Sequence, residues 1–371
     1  MVKPNPAFWH GKRVLVTGHT GFKGAWLCEW LLTMGAQVFG YSLPPPTQPA
    51  LFDQLGLASR LHHQEGDVRD LAHLQQRVTA CSPDVVIHLA AQALVRVSYR
   101  EPVETYAVNV MGTVHLLEAL RALPHRCAAV FVTTDKCYEN REWIYAYREN
   151  DPLGGHDPYS SSKGCAEIAI ASFRRSFFPP SVPDTHIGVA SARAGNVIGG
   201  GDWSLDRIVP DSMRALAQDQ PIAVRNPKAT RPWQHVLDPL SGYLVLAEKV
   251  YDALTDRPKL PRVAAAYNFG PWPTSNIAVA ALVEEILRHW PGRWEDRGDP
   301  RAVHEANLLG LAIENAVNEL GWQPTWDVGA SVRHTVDWYR RSSEGGLTQP
   351  AAFQALCQSQ IAEFQTDSHR A

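Results

Sequence analysis

From Arg13 to about Phe269, short runs of β-branched and aliphatic residues alternate with longer stretches whose apolar positions recur every three or four residues. Continuous apolar runs predict strands at 14–17, 37–41, 84–89, 129–134, 187–192 and 266–269, each of the kind that is covered on both faces. Between them, helical spacing predicts helices at about 24–34, 70–80, 104–122 and 159–177; in the third, Val110, Val114, Leu117 and Leu120 form the inward stripe. Strands joined by helical crossovers make a parallel sheet with helices on both faces, so the expected class is α/β, a Rossmann-type doubly wound sheet. Proline clusters at Pro44-Pro45-Pro46 and from Pro179 to Pro183 fall between elements and read as surface loops.

After about residue 195 the loops lengthen and carry more glycine, proline and tryptophan, with helices expected near 208–219, 238–254, 275–290 and 329–341. The organisation expected is a dinucleotide-binding domain over 1–192 with later contributions from about 234–270. A smaller α/β substrate-binding lobe takes 193–233 and 271–348, and a C-terminal helix and tail take 349–371. In the final helix, Ala352, Leu356, Ile361 and Phe364 are spaced to dock on the body of the same chain.

Composition narrows the function. With 371 residues and 45% hydrophobic content the chain can bury a sizeable core. A formal net charge of −3 provides no global basic field for nucleic acid, so any anion site is local. No apolar run approaches the ~20 residues of a membrane span. The opening Met1-Val2-Lys3-Pro4-Asn5-Pro6 lacks the apolar stretch of a signal peptide, which makes the cytoplasm the expected address. The six cysteines are scattered, without a C-x-x-C pair or a histidine ladder, and no metal is expected.

Chemistry enters at the first strand. It runs into Thr17-Gly18-His19-Thr20-Gly21-Phe22-Lys23-Gly24 and then straight into a helical run, the context in which glycines let backbone amides approach a pyrophosphate at a helix N-terminus. Gly18, Thr20, Gly21, Phe22 and Gly24 are therefore candidate cofactor contacts. So are Asp67 and Val68, placed to meet an adenine, and Leu89, Ala90, Ala91 and Gln92, whose small members permit close approach of a flat ring. The second strand ends Gly40-Tyr41-Ser42 without the acid that usually holds the adenosine ribose. No arginine stands there for a 2′-phosphate either; NAD is favoured over NADP, with Ser42 as a weaker ribose contact.

A second constellation is Tyr159-Ser160-Ser161-Ser162-Lys163, introduced by Asp157-Pro158. Tyrosine and lysine four apart share a helix face, so the ammonium favours the phenolate and also reaches toward a nicotinamide ribose. Moving a phenol from ~10 to about 7 takes roughly 4 kcal/mol, which an ammonium and an oxidised nicotinamide can supply jointly. The strand 129–134 ends in Thr133-Thr134 and is followed at once by Asp135-Lys136. This pair gives either a loop ion pair or the extra acid and base that elimination of water requires.

The glycine loop together with Y-x-x-x-K resembles the extended short-chain dehydrogenase/reductase family. That resemblance implies Tyr159 as base at a sugar hydroxyl, Lys163 on the ribose and Thr134 as a second hydrogen bond to the same hydroxyl. It also implies a helical asparagine beside the cofactor, matched by Asn109. Thr134-Asp135-Lys136, Gln92 to Arg96, Arg193 to Trp203 and Arg231 to Val236 resemble the CDP-glucose branch of the family's nucleotide-sugar 4,6-dehydratases. Dehydratases of the dTDP-glucose branch carry Asp-Glu where Asp135-Lys136 stands. By the same resemblance Asn196 and the glycines after it face the nucleotide diphosphate, Arg96, Arg207 and Arg231 bind substrate, His304 lies near the base, and the enzyme is a homodimer. Leu311 to Ala316 departs from the branch where an Asp and a Lys are expected, which leaves the base of the nucleotide open. Two rivals are a nucleotide-sugar 4-epimerase, which needs no Asp135-Lys136, and a silent NAD-binding regulator, which need not keep Thr134, Tyr159 and Lys163 together.

Overall fold

A computed structural model describes residues 1–298 and 308–367. Among them, seven parallel strands build the central sheet: β1 (Arg13–Thr17), β2 (Gln37–Ser42), β3 (His62–Glu65), β4 (Val85–His88), β5 (Cys127–Val132), β6 (Ile187–Ala194) and β7 (Ala266–Phe269). Their order across the sheet is β7-β6-β5-β4-β1-β2-β3. The direction of winding reverses between β1 and β4, and a crevice opens there beyond the carboxyl ends of the strands.

The inner strands are largely apolar because both faces are covered. Val14, Val16, Val85, Ile87, Ala128 and Val130 pack into one core with Trp26 and Leu27 of helix α1 (Phe22–Thr33). The alternate residues Leu15, Val86, Ala129 and Phe131 pack into a second core. That second core also holds Leu74 of α2 (Leu71–Cys81), Leu117 of α3 (Gly112–Leu120) and Ile170 of α4 (Pro158–Ser176). Helix α5 (Leu237–Ala253) lies across the first face, where Leu240, Leu244 and Val245 are fully buried.

Local chemistry sets the ends of these helices. The Asp70 side chain accepts from His73 N at 3.0 Å and starts α2, and Ser82, at φ 42°, stops it in the left-handed region. Asp157 caps α4 by accepting from Ser160 N at 2.9 Å and Ser160 Oγ at 2.6 Å, with Pro158 in the first turn, where its missing N–H is of no consequence.

Three expectations are corrected. β3 was not among the expected strands, because His62-His63-Gln64-Glu65 is polar and lies at the sheet edge, where no apolar run is required. The helix expected over 104–122 is three stretches, Pro102–Tyr106, a wide π turn at Ala107–Met111, and α3. The helix expected from 275 begins at Val279, because Asn276–Ala278 pairs antiparallel with Thr230–Pro232.

The smaller lobe carries that pair and a parallel pair, Ile222–Val224 with Trp294–Asp296. The C-terminal helix Pro350–Thr366 docks on α1: Phe364 meets Trp30 with ring centroids 5.7 Å apart, and Gln358 Nε2 donates to the buried Glu29 at 2.7 Å.

Candidate active site

The crevice at the β1/β4 reversal is a cavity of about 2200 Å³. A single small-molecule site usually measures about 300–1,000 Å³, so there is room for a dinucleotide and a second ligand together. Its floor is the glycine loop. Gly18 has φ 75°, and a Cβ on it would stand 2.6 Å from Ala90 N; one on Gly24 would stand 2.2 Å from Gly18 O. The first contact lets the loop lie against the backbone of Leu89 and Ala90, and the second lets it fold tightly on itself. Gly21 starts α1 without a side-chain cap, and the first amides of the helix are left to an anion. The cradle thus fits the pyrophosphate of a dinucleotide.

Gly18, Thr20, Gly21, Phe22, Gly24, Ser42, Asp67, Val68, Leu89, Ala90, Ala91 and Gln92 all line this cavity. Ser42 shares a 2.9 Å hydrogen bond with Thr20. The Asp67 carboxylate accepts from Arg69 Nε and N, and that guanidinium holds it below the usual carboxylate range. Asn109 is different. It is buried, accepts from Gln92 N at 2.9 Å and donates to Ser162 Oγ at 2.9 Å, so it clamps the β4 tail to α4 from behind the cavity wall. These bonds are to protein groups on both sides, and Asn109 is not among the residues lining the cavity.

Helix α4 and the tail of β5 meet at the opposite wall. Tyr159, Lys163, Thr134, Asp135 and Lys136 line the same cavity. The Thr134 hydroxyl donates to Asp135 Oδ1 at 2.9 Å and lies near enough to the Tyr159 phenol to favour its ionised form. Asp135 is 2% exposed, and burial raises its pKa against the opposing pull of Lys136, Thr134 and Arg231. Its Oδ2 is buried with no hydrogen-bond partner. A carboxyl so placed favours its neutral form.

Burial lowers Lys163 to about 8, partly offset by Glu167, and its Nζ donates to Val132 O at 3.3 Å. Burial also pushes the Tyr159 phenol up to about 12, with Thr134 opposing. The protein by itself therefore moves the phenol away from neutrality, against the lowering expected from Lys163.

Arg96, Asn196, Arg207 and Arg231 reach the cavity from the other side. Arg207 pairs with the buried Asp202 at 2.9 Å, Arg96 meets Asp206 at 3.4 Å, and Arg231 Nη1 donates to Thr230 O at 2.8 Å. His304 lies outside the described residues. Sequence reasoning missed Lys23, which lines the cavity from within the glycine loop itself. Burial, reinforced by Arg207 and opposed by Asp135, lowers its ammonium to about 8. It gave no role to Asp202, although that residue stands inside the Arg193-to-Trp203 stretch, nor to Arg225, which lines the cavity and pairs with Asp206 at 2.7 Å.

Residues 15–335 match the family model described as GDP-mannose 4,6 dehydratase. The chain is 47% identical to CDP-glucose 4,6-dehydratase of Salmonella typhimurium, over 90% of this chain and 92% of that protein. Among solved structures, UDP-glucose 4-epimerase of Thermotoga maritima superposes with a TM-score of 0.75 at 20% identity, covering 89% of this chain and 99% of that one. dTDP-glucose 4,6-dehydratase of Bacillus anthracis, solved in complex with NAD, gives 0.73 at 21% identity, covering 90% and 99%. At such identities the structures speak for the fold, while the sequence matches span most of both chains: the chain belongs to the GDP-mannose 4,6-dehydratase family.

Proposed function

We propose that this enzyme is an NAD-dependent nucleotide-sugar 4,6-dehydratase that converts CDP-D-glucose to CDP-4-keto-6-deoxy-D-glucose and water. The observation that carries the reading is a buried carboxyl on Asp135 whose Oδ1 accepts from Thr134 at 2.9 Å and whose Oδ2 has no hydrogen-bond partner, with the Tyr159 phenol beside the same threonine. The substrate assignment rests on the 47% identity to CDP-glucose 4,6-dehydratase. NAD held by the glycine loop Gly18 to Gly24 would supply the hydride acceptor for oxidation at C4 and the hydride donor for reduction at C6.

The chain's own groups handle the protons. Tyr159 takes the C4 hydroxyl proton, and Lys163 beside it favours the phenolate. The C4 carbonyl so formed acidifies the C5 hydrogen, which Lys136 removes at the cavity edge. Asp135, kept neutral by burial, gives its proton to the C6 oxygen, and water leaves. Lys136 then returns a proton to C5. One turnover leaves a proton on Tyr159 and none on Asp135, and the Thr134 hydroxyl between them is the relay that resets both. Arg207, Arg231, Arg96 and Asn196 face the nucleotide diphosphate, where planar guanidinium forks suit phosphate oxygens.

A 4-epimerase shares the fold and the Tyr159–Lys163 pair but has no use for a neutral carboxyl beside C6, and a silent regulator has no use for the relay. Incubating the purified enzyme with CDP-D-glucose and NAD tests the reading. A 4-keto-6-deoxy sugar, seen by mass spectrometry as loss of water, supports it; recovery of a C4 epimer or of unchanged substrate overturns it.

Two finer points belong to the same proposal. The enzyme pairs as a homodimer through Val103, Met111 and Ile168, which are 83%, 46% and 57% exposed on neighbouring helical stretches. It works in the cytoplasm, where its six unpaired thiols stay reduced. Among the described residues no helix is long and apolar enough to cross a membrane.

A further inference from the structure

Tyr159, Lys163 and Glu167 follow one another at four-residue intervals along one face of α4. Glu167 is 2% exposed, and nothing in the proton transfers above uses it. Its Oε1 accepts from Thr133 Oγ1 at 2.5 Å, and its Oε2 accepts from Ser191 Oγ and Arg193 Nη2, both at 2.8 Å. Burial alone would raise this carboxyl, but Arg193, Thr133 and Ser191 outweigh burial and hold it ionised. Arg193, 3% exposed, spends its other nitrogen on Tyr138 Oη at 2.7 Å and Glu149 O at 3.0 Å. A buried anion with a complete shell is thus fixed one helical turn behind the lysine and tied to the strand tail that carries Thr134.

We propose that the Glu167–Arg193 pair is the electrostatic support of the Tyr159–Lys163 site. Glu167 is the positioning anion that keeps Lys163 charged against the oxidised nicotinamide, and Arg193 sets how much of that negative charge the site feels. The inference rests on the functional reading of Tyr159 and Lys163 given above. Buried pairs often add little to stability, so a pair retained at this position is better explained by what its charge does for its neighbours.

The other titratable groups facing Lys163 are Lys23, His88 and Cys137. Arg174 faces Glu167, and Asp135, Asp157 and Arg207 face Tyr159. None of these is altered in the variants that follow. Glu167→Gln removes a negative charge, which disfavours the Lys163 cation and favours the Tyr159 phenolate; both limbs of the pH–rate profile move to lower pH. Arg193→Gln removes a positive charge and moves both limbs to higher pH. Charges one helical turn apart in a partly dry interior interact strongly enough for shifts of about half a pH unit or more. The double variant restores the balance and returns the profile toward wild type.

The test is the pH dependence of kcat for the two single variants and the double variant. It is paired with calorimetric affinities for NAD and NADH in the absence of sugar. Glu167→Gln should shift the affinity ratio toward the reduced dinucleotide, whose ring is neutral, and Arg193→Gln toward the oxidised one. Shifts of the same sign in both single variants, or a double variant no nearer wild type than either, would overturn the proposal. If wild type makes no dehydrated sugar the functional reading fails, whereas the affinity ratios still decide the role of the pair.

Discussion

Asp135→Asn separates the two halves of the reaction. The amide has nearly the volume of the carboxyl, and its Oδ1 still accepts from Thr134, so the wall of the cavity stays in place. What disappears is the carboxyl proton that burial, which raises the pKa of this acid, helps it to hold for donation in the proposed mechanism. General-acid assistance contributes about 10²–10⁴-fold, or roughly 3–5 kcal/mol, and this whole factor falls on departure of the C6 oxygen. Oxidation at C4 depends on Tyr159, Lys163 and the cradle, none of which is changed. In a stopped-flow mixing experiment with CDP-D-glucose, reduced nicotinamide should therefore rise toward one equivalent per site and persist, while product formation falls by about 10³-fold. Tyr159→Phe is the control in which no reduced nicotinamide appears. Turnover by Asp135→Asn within about tenfold of wild type would refute the acid assignment. Loss of turnover with no reduced nicotinamide would place Asp135 in the oxidation step instead.

Other consequences can be measured independently. Asp202→Asn takes the counter-charge from Arg207, which it holds at 2.9 Å, and should raise KM for the nucleotide sugar by about tenfold while kcat stays near wild type. Glu248 accepts from Trp9 Nε1 at 2.6 Å and Asn5 N at 2.8 Å, and burial raises it from 4.5 to about 7. Its neutral form is the one the fold prefers, so its contribution is complete below pH 4.5 and is lost as pH rises through about 7. In thermal melts Glu248→Gln should therefore gain on wild type as pH increases across that window, and a constant difference in Tm would count against it. Ile168→Asp places a charge on a side chain that is 57% exposed on α4 and should leave monomers in sedimentation if the proposed dimer forms there.

Much of this was readable in the chain because the decisive features are local. An apolar run, a glycine turn and a helix start follow one another between Arg13 and Thr33, and each dictates its own conformation without help from the remainder. The same holds for Asp157-Pro158 before Tyr159. Features that depend on distant partners were not readable. β3 is polar because it lies at the sheet edge, and its histidine His63 gains a partner only by meeting His19, 44 residues earlier, at 2.7 Å. Asn109 was expected beside the cofactor, and the partners its amide meets, Gln92 and Ser162, depend on a wide helical turn that no spacing rule announces. Glu167 looks like any helical glutamate until β5 and β6 bring Thr133, Ser191 and Arg193 to it.

The division between local and distant information also explains why the fold leaves the reaction undecided here. The architecture superposes on an epimerase and on a dehydratase almost equally, with TM-scores of 0.75 and 0.73. Both chemistries begin by oxidising C4, and a cradle, a phenol and an ammonium suffice for that. Dehydration differs only in needing a proton donor within reach of C6 and a base within reach of C5, and the turn Asp135–Cys137 brings a carboxyl and an amine to the cavity in consecutive positions, the pair to which the proposed mechanism gives those roles. Consecutive residues on a tight turn diverge, so one of the pair enters the wall and loses its water while the other stays at the cavity edge. Asp135 is the one that enters, and drying a carboxyl helps it hold a proton to donate, whereas an amine in the same place would be neutralised. The order Asp-then-Lys is thus itself functional: exchanging the two residues should preserve the net charge of the cavity and abolish the elimination.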